Sequence, residues 1–187
     1  AIPVWRGCHP YDVIPVQMSC HVAGARGRIE HHAFLADGPH DPRPAVAAAV
    51  VRACQGASTV VAYNAPFEGR CLEHLAAAVP SQRKALRAIV GRLVDLLPIV
   101  RDHVYHPGFG GSFGMKSVLP ALVPSLAYRD LEIADGSTAS TALEALLLDG
   151  EAMPERDREK VRKQLLAYCE RDTLGMVKLH ERLASLA

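Results

Sequence analysis

Tyr168 and Asp172 are the residues of this chain whose types and spacing best fit chemistry. They stand four positions apart in the segment AYCERDTL, so a helix places them on one face. The apolar stripe of this predicted helix consists of Val161, Leu165, Met176, Leu179 and Leu183. Because Tyr168 and Asp172 fill the gaps in that stripe, Asp172 is expected to point inward. An inward carboxylate is costly unless it is paired, hydrogen-bonded or bound to a metal ion.

Glu68 is a second candidate carboxylate. It follows the short apolar strand predicted at 60–63 and lies in the first turn of the next helix, in the segment YNAPFEGRCL. Carboxylates brought by different elements to one sheet edge form the hard oxygen sites that Mg²⁺ or Mn²⁺ prefers. The sequence therefore predicts that Glu68 and Asp172 are metal ligands.

Each of these residues also has a structural interpretation. Asn64 is expected to be the N-cap of the helix that carries Glu68, and Glu68 itself suits the positive end of the helix dipole. Tyr168 could be a core residue with a hydrogen-bonded hydroxyl. Arg171 lies on a different helical face from Asp172, which disfavours a simple ion pair between them.

Five further side chains are candidates around such a site. Phe67 could stack on a base or pack in the core, and Phe109 and Phe113, in a glycine-rich loop at 107–114, are also candidates for stacking. Lys116 follows that loop and could either meet a phosphate or be solvated. Asp95, in a predicted buried strand, could be adjacent to the site or make a structural hydrogen bond.

The motifs containing these residues resemble the DEDDy 3'-5' exonucleases, the DnaQ-like branch of the ribonuclease H-like fold. Asn64-Ala65-Pro66-Phe67-Glu68 is similar to the second motif of that family, and Tyr168-x-x-x-Asp172 to the third. The segments His106-Pro107, 111–122 and Asp135-Gly136 resemble an uncharacterised bacterial family within the superfamily. The resemblance extends over nearly all of the chain.

This resemblance implies a metal-dependent 3'-5' exonuclease that hydrolyses phosphodiester bonds with two Mg²⁺ or Mn²⁺ ions. Glu68 and Asp172 are expected to hold the ions, while Tyr168 orients the attacking water. Asn64, Phe67 and Lys116 are expected to contact the substrate, the end of a single strand of DNA or RNA, and the family position of Asp95 places it near the site. The alternative is a catalytically silent ribonuclease H-like module that binds nucleic acid or a partner protein.

The chain departs from the family pattern at two places. Glu68 stands where most of these enzymes have aspartate, and the first motif, Asp-x-Glu on the central strand, is missing. Ala1-Ile2-Pro3 resembles the sequence just after that strand, so residues 1–187 are expected to form one N-terminally truncated ribonuclease H-like domain. An upstream strand or domain is expected to complete the site, and the chain alone is expected to have little activity.

Composition and element order agree with an α/β domain. Of the 187 residues, 49% are hydrophobic and 22% charged, and the net charge of +1 excludes an extended basic surface for nucleic acid. No apolar run predicts a membrane span or a signal peptide, so a cytoplasmic protein is expected. The five cysteines include no Cys-x-x-Cys pair and predict free thiols, and the Cys-His pairs at Cys8 and Cys20 are too far apart for a compact zinc site.

The patterns predict a ribonuclease H-like mixed sheet flanked by helices. Strands are predicted at 14–22, 29–35, 60–63 and 93–97, and helices at 41–54, after 63, at 81–91, 116–122 and 137–148, and from 155 to the C-terminus.

Overall fold

The fold is a mixture of α-helices and short β-strands, in a computed structural model that describes residues 5–9, 12–24 and 27–186. The strands are β1 (Gln17–Ala23), β2 (Ile29–Leu35), β3 (Val60–Ala62) and β4 (Leu93–Asp95). The helices are α1 (Arg43–Ala53), α2 (Ala65–Ala78), α3 (Arg83–Val90), α4 (Leu96–His103), α5 (Met115–Leu122), α6 (Gly136–Leu148) and α7 (Glu155–Ala184). The predicted α/β class is therefore confirmed.

The strands form two separate pairs. β1 and β2 are antiparallel, with Gln17 opposite Leu35 and Ala23 opposite Ile29, whereas β3 and β4 are parallel. Within the described ranges, β1 has no strand neighbour except β2, and β3 has none except β4. Each of β1 and β3 thus has one edge without a β partner, and edge backbone groups of this kind can pair with a further strand.

The β1–β2 hairpin packs between α7 and α1, as its alternating side chains require. Ser19 and His21 point toward α7, where both contact the hydroxyl of Thr173. Cys20, on the opposite side of β1, lies beside Cys54 at the end of α1. The cysteines of the described residues are free, as the sequence predicted.

Two hydrophobic clusters hold the elements together. The larger one joins α4, α5, α6 and α7, and its fully buried members include Val100, Val118, Leu146 and Leu165. The smaller one joins α1, α2 and α3. Because Tyr168 belongs to the larger cluster and α2 to the smaller one, the two predicted metal ligands sit on elements anchored in different parts of the core.

Most predicted elements are present, but two predictions about their extent are wrong. The strand expected at 14–22 begins only at Gln17. The strand expected at 93–97 ends at Asp95, because the Asp95 carboxylate accepts a hydrogen bond from the amide of Leu97 and caps a helix that the sequence patterns did not predict, α4.

A close helix contact fixes the position of α5 on α7. Gly175 is buried in α7, and a Cβ atom at this position would lie 2.5 Å from Cδ2 of Leu119. The glycine therefore lets the two helices approach more closely than any other residue would allow. Lys116 of α5 and Asp172 of α7 lie one turn away from this contact, on the same pair of helices.

None of the helices formed by the described residues is both long and apolar enough to cross a membrane. The longest of them, α7, carries charged side chains along its whole length.

Candidate functional site

Glu68 is a partly buried carboxylate that lacks a partner on one oxygen. It lies in the first turn of α2, and its Oε2 atom is buried and accepts no hydrogen bond from any of the described residues. Burial raises the pKa of Glu68, and the nearby charge of Asp95 raises it further. A buried oxygen without a donor is costly, so this geometry requires either a proton or a cation at Glu68.

Asn64 and Asp95 connect the ends of the two parallel strands beside Glu68. The backbone of Asn64 is left-handed, with φ of 73°, and no other described non-glycine residue has a positive φ. Its amide donates to Oδ1 of Asp95 over 2.8 Å, and the same oxygen accepts the amide of Leu97 over 3.0 Å. Asn64 therefore occupies the N-cap position that was predicted, although its side chain makes no capping bond. The structural interpretation of Asp95 is confirmed by these two hydrogen bonds.

Asp172 lies in a second group of polar residues, formed by α5, α7 and the segment before α6. Its Oδ1 accepts hydrogen bonds from the hydroxyl of Tyr128 over 2.6 Å and from Nζ of Lys116 over 3.0 Å. The prediction that Asp172 points inward is confirmed, since its side chain is only 31% exposed. Arg171 does not pair with Asp172, as its helical face indicated, but with Asp130.

Lys116 is held between two tyrosine rings. Its Nζ lies 3.4 Å from the centre of the Tyr128 ring and 4.1 Å from that of the Tyr168 ring, distances at which a cation is attracted to the aromatic faces. Burial lowers the pKa of Lys116, and the charge of Asp172 opposes that shift. Its side chain is 38% exposed, so Lys116 is partly solvated and at the same time paired with Asp172.

Tyr168 is buried, with 8% of its surface exposed, and lies in the core cluster next to Tyr128. Burial raises the pKa of both phenols, and the adjacent Asp172 carboxylate raises them further. Neutral phenols can orient a water or an oxyanion by hydrogen bonding but are poor bases at neutral pH. Asp135, which caps α6 through the amides of Ser137 and Thr138, is close enough for its charge also to act on Tyr168.

Phe67 is available for stacking, because 42% of its surface is exposed, and this disfavours core packing. The guanidinium of Arg70 lies 5.9 Å from the centre of its ring. Both side chains line a pocket of about 180 Å³ together with Cys71 and His74. Phe109, by contrast, is 3% exposed and packs in the core, so its predicted role in stacking is wrong.

Tyr63 connects the surroundings of Glu68 with those of Asp172. Its hydroxyl donates to the carbonyl oxygen of Phe113 over 2.5 Å, just before α5 begins, and its ring packs against the larger core cluster. Burial and the charge of Asp95 raise the pKa of Tyr63 to about 12. Glu68 and Asp172 have separate sets of contacts, and their sharing of a metal site remains a prediction.

Tyr128 is the residue of this group that the sequence did not single out. It lies in the segment LAYRDLE, outside the motifs described above, and contributes the shortest contact to Asp172. The nearby Arg171–Asp130 ion pair, with an oxygen to nitrogen distance of 2.7 Å, holds this segment against α7. No spacing signal in the sequence indicates this approach, since 44 residues separate the two partners.

Comparison with protein families assigns the chain to one family. Residues 1–114 match the family described as Domain of unknown function (DUF2779), so the protein belongs to it. The match includes Glu68 and Asp95 and ends before Lys116, Tyr128 and Asp172. No curated protein and no solved structure shows significant similarity to the chain.

Proposed function

We propose that this protein is the ribonuclease H-like part of a metal-dependent 3'-5' exonuclease of the DEDDy type, acting on single-stranded ends of DNA or RNA. Glu68 and Asp172 are the proposed metal ligands and Tyr168 the group that positions water. The proposal comes from the Asn64 to Glu68 and Tyr168 to Asp172 motifs and is supported by the surroundings of these residues.

The observation that carries the proposal is the buried Oε2 of Glu68, which has no hydrogen-bond donor within the part of the chain that the structure describes. A glutamate whose role was confined to the helix dipole would be expected to face solvent or backbone amides. An acceptor oxygen left unpaired beside a second carboxylate, Asp95, has the chemistry of a site for Mg²⁺ or Mn²⁺. The donor set near Glu68 therefore fits a hard divalent cation.

Asp172 and Tyr168 lie together, as this mechanism requires. In such a site the divalent ions supply an activated water and stabilise negative charge on the leaving oxygen. Tyr168 is one turn from Asp172 and keeps its proton at neutral pH because its pKa is raised, so it can hold the attacking water by hydrogen bonding. Tyr128 and Lys116 fix the orientation of the Asp172 carboxylate.

Lys116 has two roles in this proposal. In the structure described here it balances the charge of Asp172 at 3.0 Å. When Asp172 binds a cation instead, the ammonium is released and can pair with a phosphate of the substrate, because lysine is a flexible point charge with a long side chain. Phe67 and Arg70 provide an aromatic face and a guanidinium side by side, a combination that holds a base and its backbone without selecting a sequence.

The proposal includes a further strand with the Asp-x-Glu pair, located between β1 and β3 and supplied by an upstream segment. The separate strand pairs support it, because β1 and β3 each have an edge without a β partner in the described part of the chain. Two carboxylates are also too few to hold two divalent ions and balance their charge. We therefore expect weak activity or none from residues 1–187 alone.

A catalytically silent module that binds nucleic acid or protein is the second candidate, and one observation favours it. Asp172 already has a cationic partner in Lys116, so its charge is balanced without a metal ion. In addition, among the described residues no cluster of three or more close metal-ligating side chains contains Glu68 or Asp172. Metal binding separates the two candidates, since a silent module needs no Mn²⁺ affinity at Glu68.

The test compares protein from the whole reading frame with residues 1–187 on single-stranded DNA and RNA labelled at the 5' end. With Mn²⁺, the former is expected to produce a ladder that shortens from the 3' end, and EDTA is expected to stop it. Asp172→Asn should abolish digestion. Asp130→Asn is the matched control, because it removes a nearby carboxylate that pairs with Arg171 and not with Lys116 or Tyr128.

Two results would contradict the proposal. Undiminished digestion by Asp172→Asn would place the chemistry elsewhere, and the absence of both digestion and Mn²⁺ binding by the whole protein would favour the silent module. Circular dichroism of each variant distinguishes loss of chemistry from loss of folding.

A further inference from the structure

A cluster of metal-ligating side chains lies on the other side of α7 from Asp172. One ligand atom each from His21, His31 and Glu170 lies within 4.8 Å of the others, and no second group of this kind occurs among the described residues. His21 and His31 are directly opposite each other on β1 and β2, and Glu170 lies on α7. Three elements that are distant in sequence therefore meet at this point.

The two imidazoles are stacked and each has one nitrogen held by a hydroxyl. Their ring centres are 4.5 Å apart, with an angle of 17° between the planes. Nδ1 of His21 lies 2.8 Å from Oγ1 of Thr173, and Nε2 of His31 lies 2.9 Å from Oγ of Ser19. The two hydroxyl oxygens are 2.7 Å apart, so the four groups form one connected network.

One arrangement of protons satisfies every contact of this network and leaves a lone pair on one nitrogen of each ring. When the Thr173 hydroxyl donates to main-chain carbonyls of its own helix, at Cys169 and Glu170, it accepts from Ser19 and from His21. The Ser19 hydroxyl, having donated to Thr173, accepts from Nε2 of His31. In neutral rings the remaining nitrogens, Nε2 of His21 and Nδ1 of His31, then carry lone pairs.

The lone pair of His31 faces a negative charge. Nδ1 of His31 lies 3.7 Å from Oε1 of Glu170, and two electron-rich atoms in this arrangement repel each other unless a cation lies between them. A proton on Nδ1 of His31 or a metal ion satisfies this requirement without altering the hydroxyl network, and the metal ion also uses the free lone pair of His21. The hydroxyls then act as outer partners that fix the orientation and tautomer of each imidazole, as in established histidine metal sites.

We propose that His21, His31 and Glu170 form a binding site for a first-row transition-metal ion, Zn²⁺, which joins the β1–β2 hairpin to α7. Two imidazoles and one carboxylate are a ligand set typical of zinc, with a fourth position that water can occupy. Ligands bonded at about 2.0 to 2.2 Å in a tetrahedron are about 3.3 Å apart, so the cluster must contract by up to about 1.5 Å. Glu170, whose side chain is 52% exposed, can rotate toward the ion, and the two rings, whose planes are 17° apart, must also tilt so that their in-plane lone pairs meet at one ion.

This site is independent of the proposed exonuclease chemistry. Nitrogen ligands favour zinc, cobalt or nickel, whereas the carboxylates Glu68 and Asp172 favour magnesium or manganese. The spacing of Cys-His pairs along the sequence indicated no compact zinc site, and none of the three ligands proposed here is a cysteine.

The experiment is a titration of EDTA-treated, dialysed protein with Zn²⁺ by calorimetry, and with Co²⁺ by visible absorption. We expect one high-affinity Zn²⁺ per chain and a Co²⁺ spectrum of a site with nitrogen and oxygen ligands. His21→Ala or His31→Ala should reduce the affinity by more than the roughly 10- to 100-fold that outer partners contribute, and Thr173→Val should reduce it within that range. Added Zn²⁺ should also raise the melting temperature of the wild-type chain.

His32→Ala is the matched control, because His32 neighbours His31 on β2 but is opposite Cys20, on the other side of the hairpin. His32→Ala and Asp172→Asn should leave Zn²⁺ binding unchanged. If His21→Ala fails to fold, Glu170→Gln, on the exposed side of the cluster, tests the same site and should weaken binding. The proposal is overturned by the absence of stoichiometric Zn²⁺ binding, by binding that persists in His31→Ala and Glu170→Gln, or by ring-nitrogen NMR showing His31 protonated and indifferent to Zn²⁺.

Discussion

Substitution of Gly175 by alanine tests the helix contact that places Lys116 beside Asp172. The new methyl group would lie 2.5 Å from Cδ2, 3.3 Å from Cδ1 and 3.5 Å from Cγ of Leu119. Leu119 is completely buried, so its side chain has no solvent to move into. Alanine gains about 1 kcal/mol of helix propensity over glycine, while overpacking of a dense core costs about 1 to 3 kcal/mol. The net effect on the free energy of unfolding is expected to range from near zero to a loss of about 2 kcal/mol.

Gly69→Ala supplies the matched control, because Gly69 also lies inside a helix but has space beside it. Its Cβ would be 3.9 Å from the nearest atom, Cδ1 of Leu93, which is an ordinary contact. This variant should be more stable than the wild type by up to about 1 kcal/mol. The difference between the two variants therefore isolates the overpacking cost at Gly175, about 1 to 3 kcal/mol.

Urea unfolding followed by circular dichroism measures both variants. Equal stabilisation by Gly175→Ala and Gly69→Ala would refute the inference that α5 and α7 are in close contact at this point. A double variant provides a second check. Leu119→Ala alone should cost about 2 to 5 kcal/mol, and less in the Gly175→Ala background, because the added methyl group then occupies part of the space.

Three further predictions concern the proposed active site. Tyr168→Phe should lower turnover of the whole protein about 10²-fold with little change in substrate binding, and unchanged steady-state turnover would assign Tyr168 to the core alone. Lys116→Met should raise the Mn²⁺ affinity measured by calorimetry, because it removes the cation that competes for Asp172. The same variant should bind substrate more weakly. A fall in Mn²⁺ affinity would contradict this prediction. Glu68→Gln should remove a pH dependence of the free energy of unfolding. Burial raises the pKa of Glu68, so the free energy of unfolding falls as pH rises from the ordinary glutamate pKa through the raised one. Urea unfolding across that pH window should show a flatter profile in the variant.

The sequence predicted the elements that depend on local patterns. The alternation in β1, the short apolar strand before α2 and the apolar stripe of α7 were sufficient to place those elements within a few residues. α4 was missed because Leu96 and Leu97 continue the apolar run of β4, and only the capping bond from Asp95 marks the boundary. Periodicity cannot distinguish a buried strand from the first turn of a buried helix in so short a run.

Predictions about individual side chains also succeeded where a local pattern placed the residue and failed where it did not. The inward position of Asp172 followed from its place in the stripe of α7, and the structure confirms it. The burial of Phe109 could not be predicted, because a phenylalanine in a glycine-rich loop can face either the core or the solvent. The partner of Lys116 was equally open from sequence, since a flexible lysine can reach many acceptors.

The sequence by itself determined the order of the elements except for α4, the helical face shared by Tyr168 and Asp172, and the place of Glu68 in the first turn of a helix. Those features depend on the local spacing of residues, which is the same however the rest of the chain packs. The tertiary structure alone decided that Tyr128 binds Asp172, that Lys116 lies between two tyrosine rings, and that His21 and His31 meet Glu170. These contacts join residues from distant parts of the chain, and their formation depends on how the helices and the hairpin pack, which no local pattern specifies.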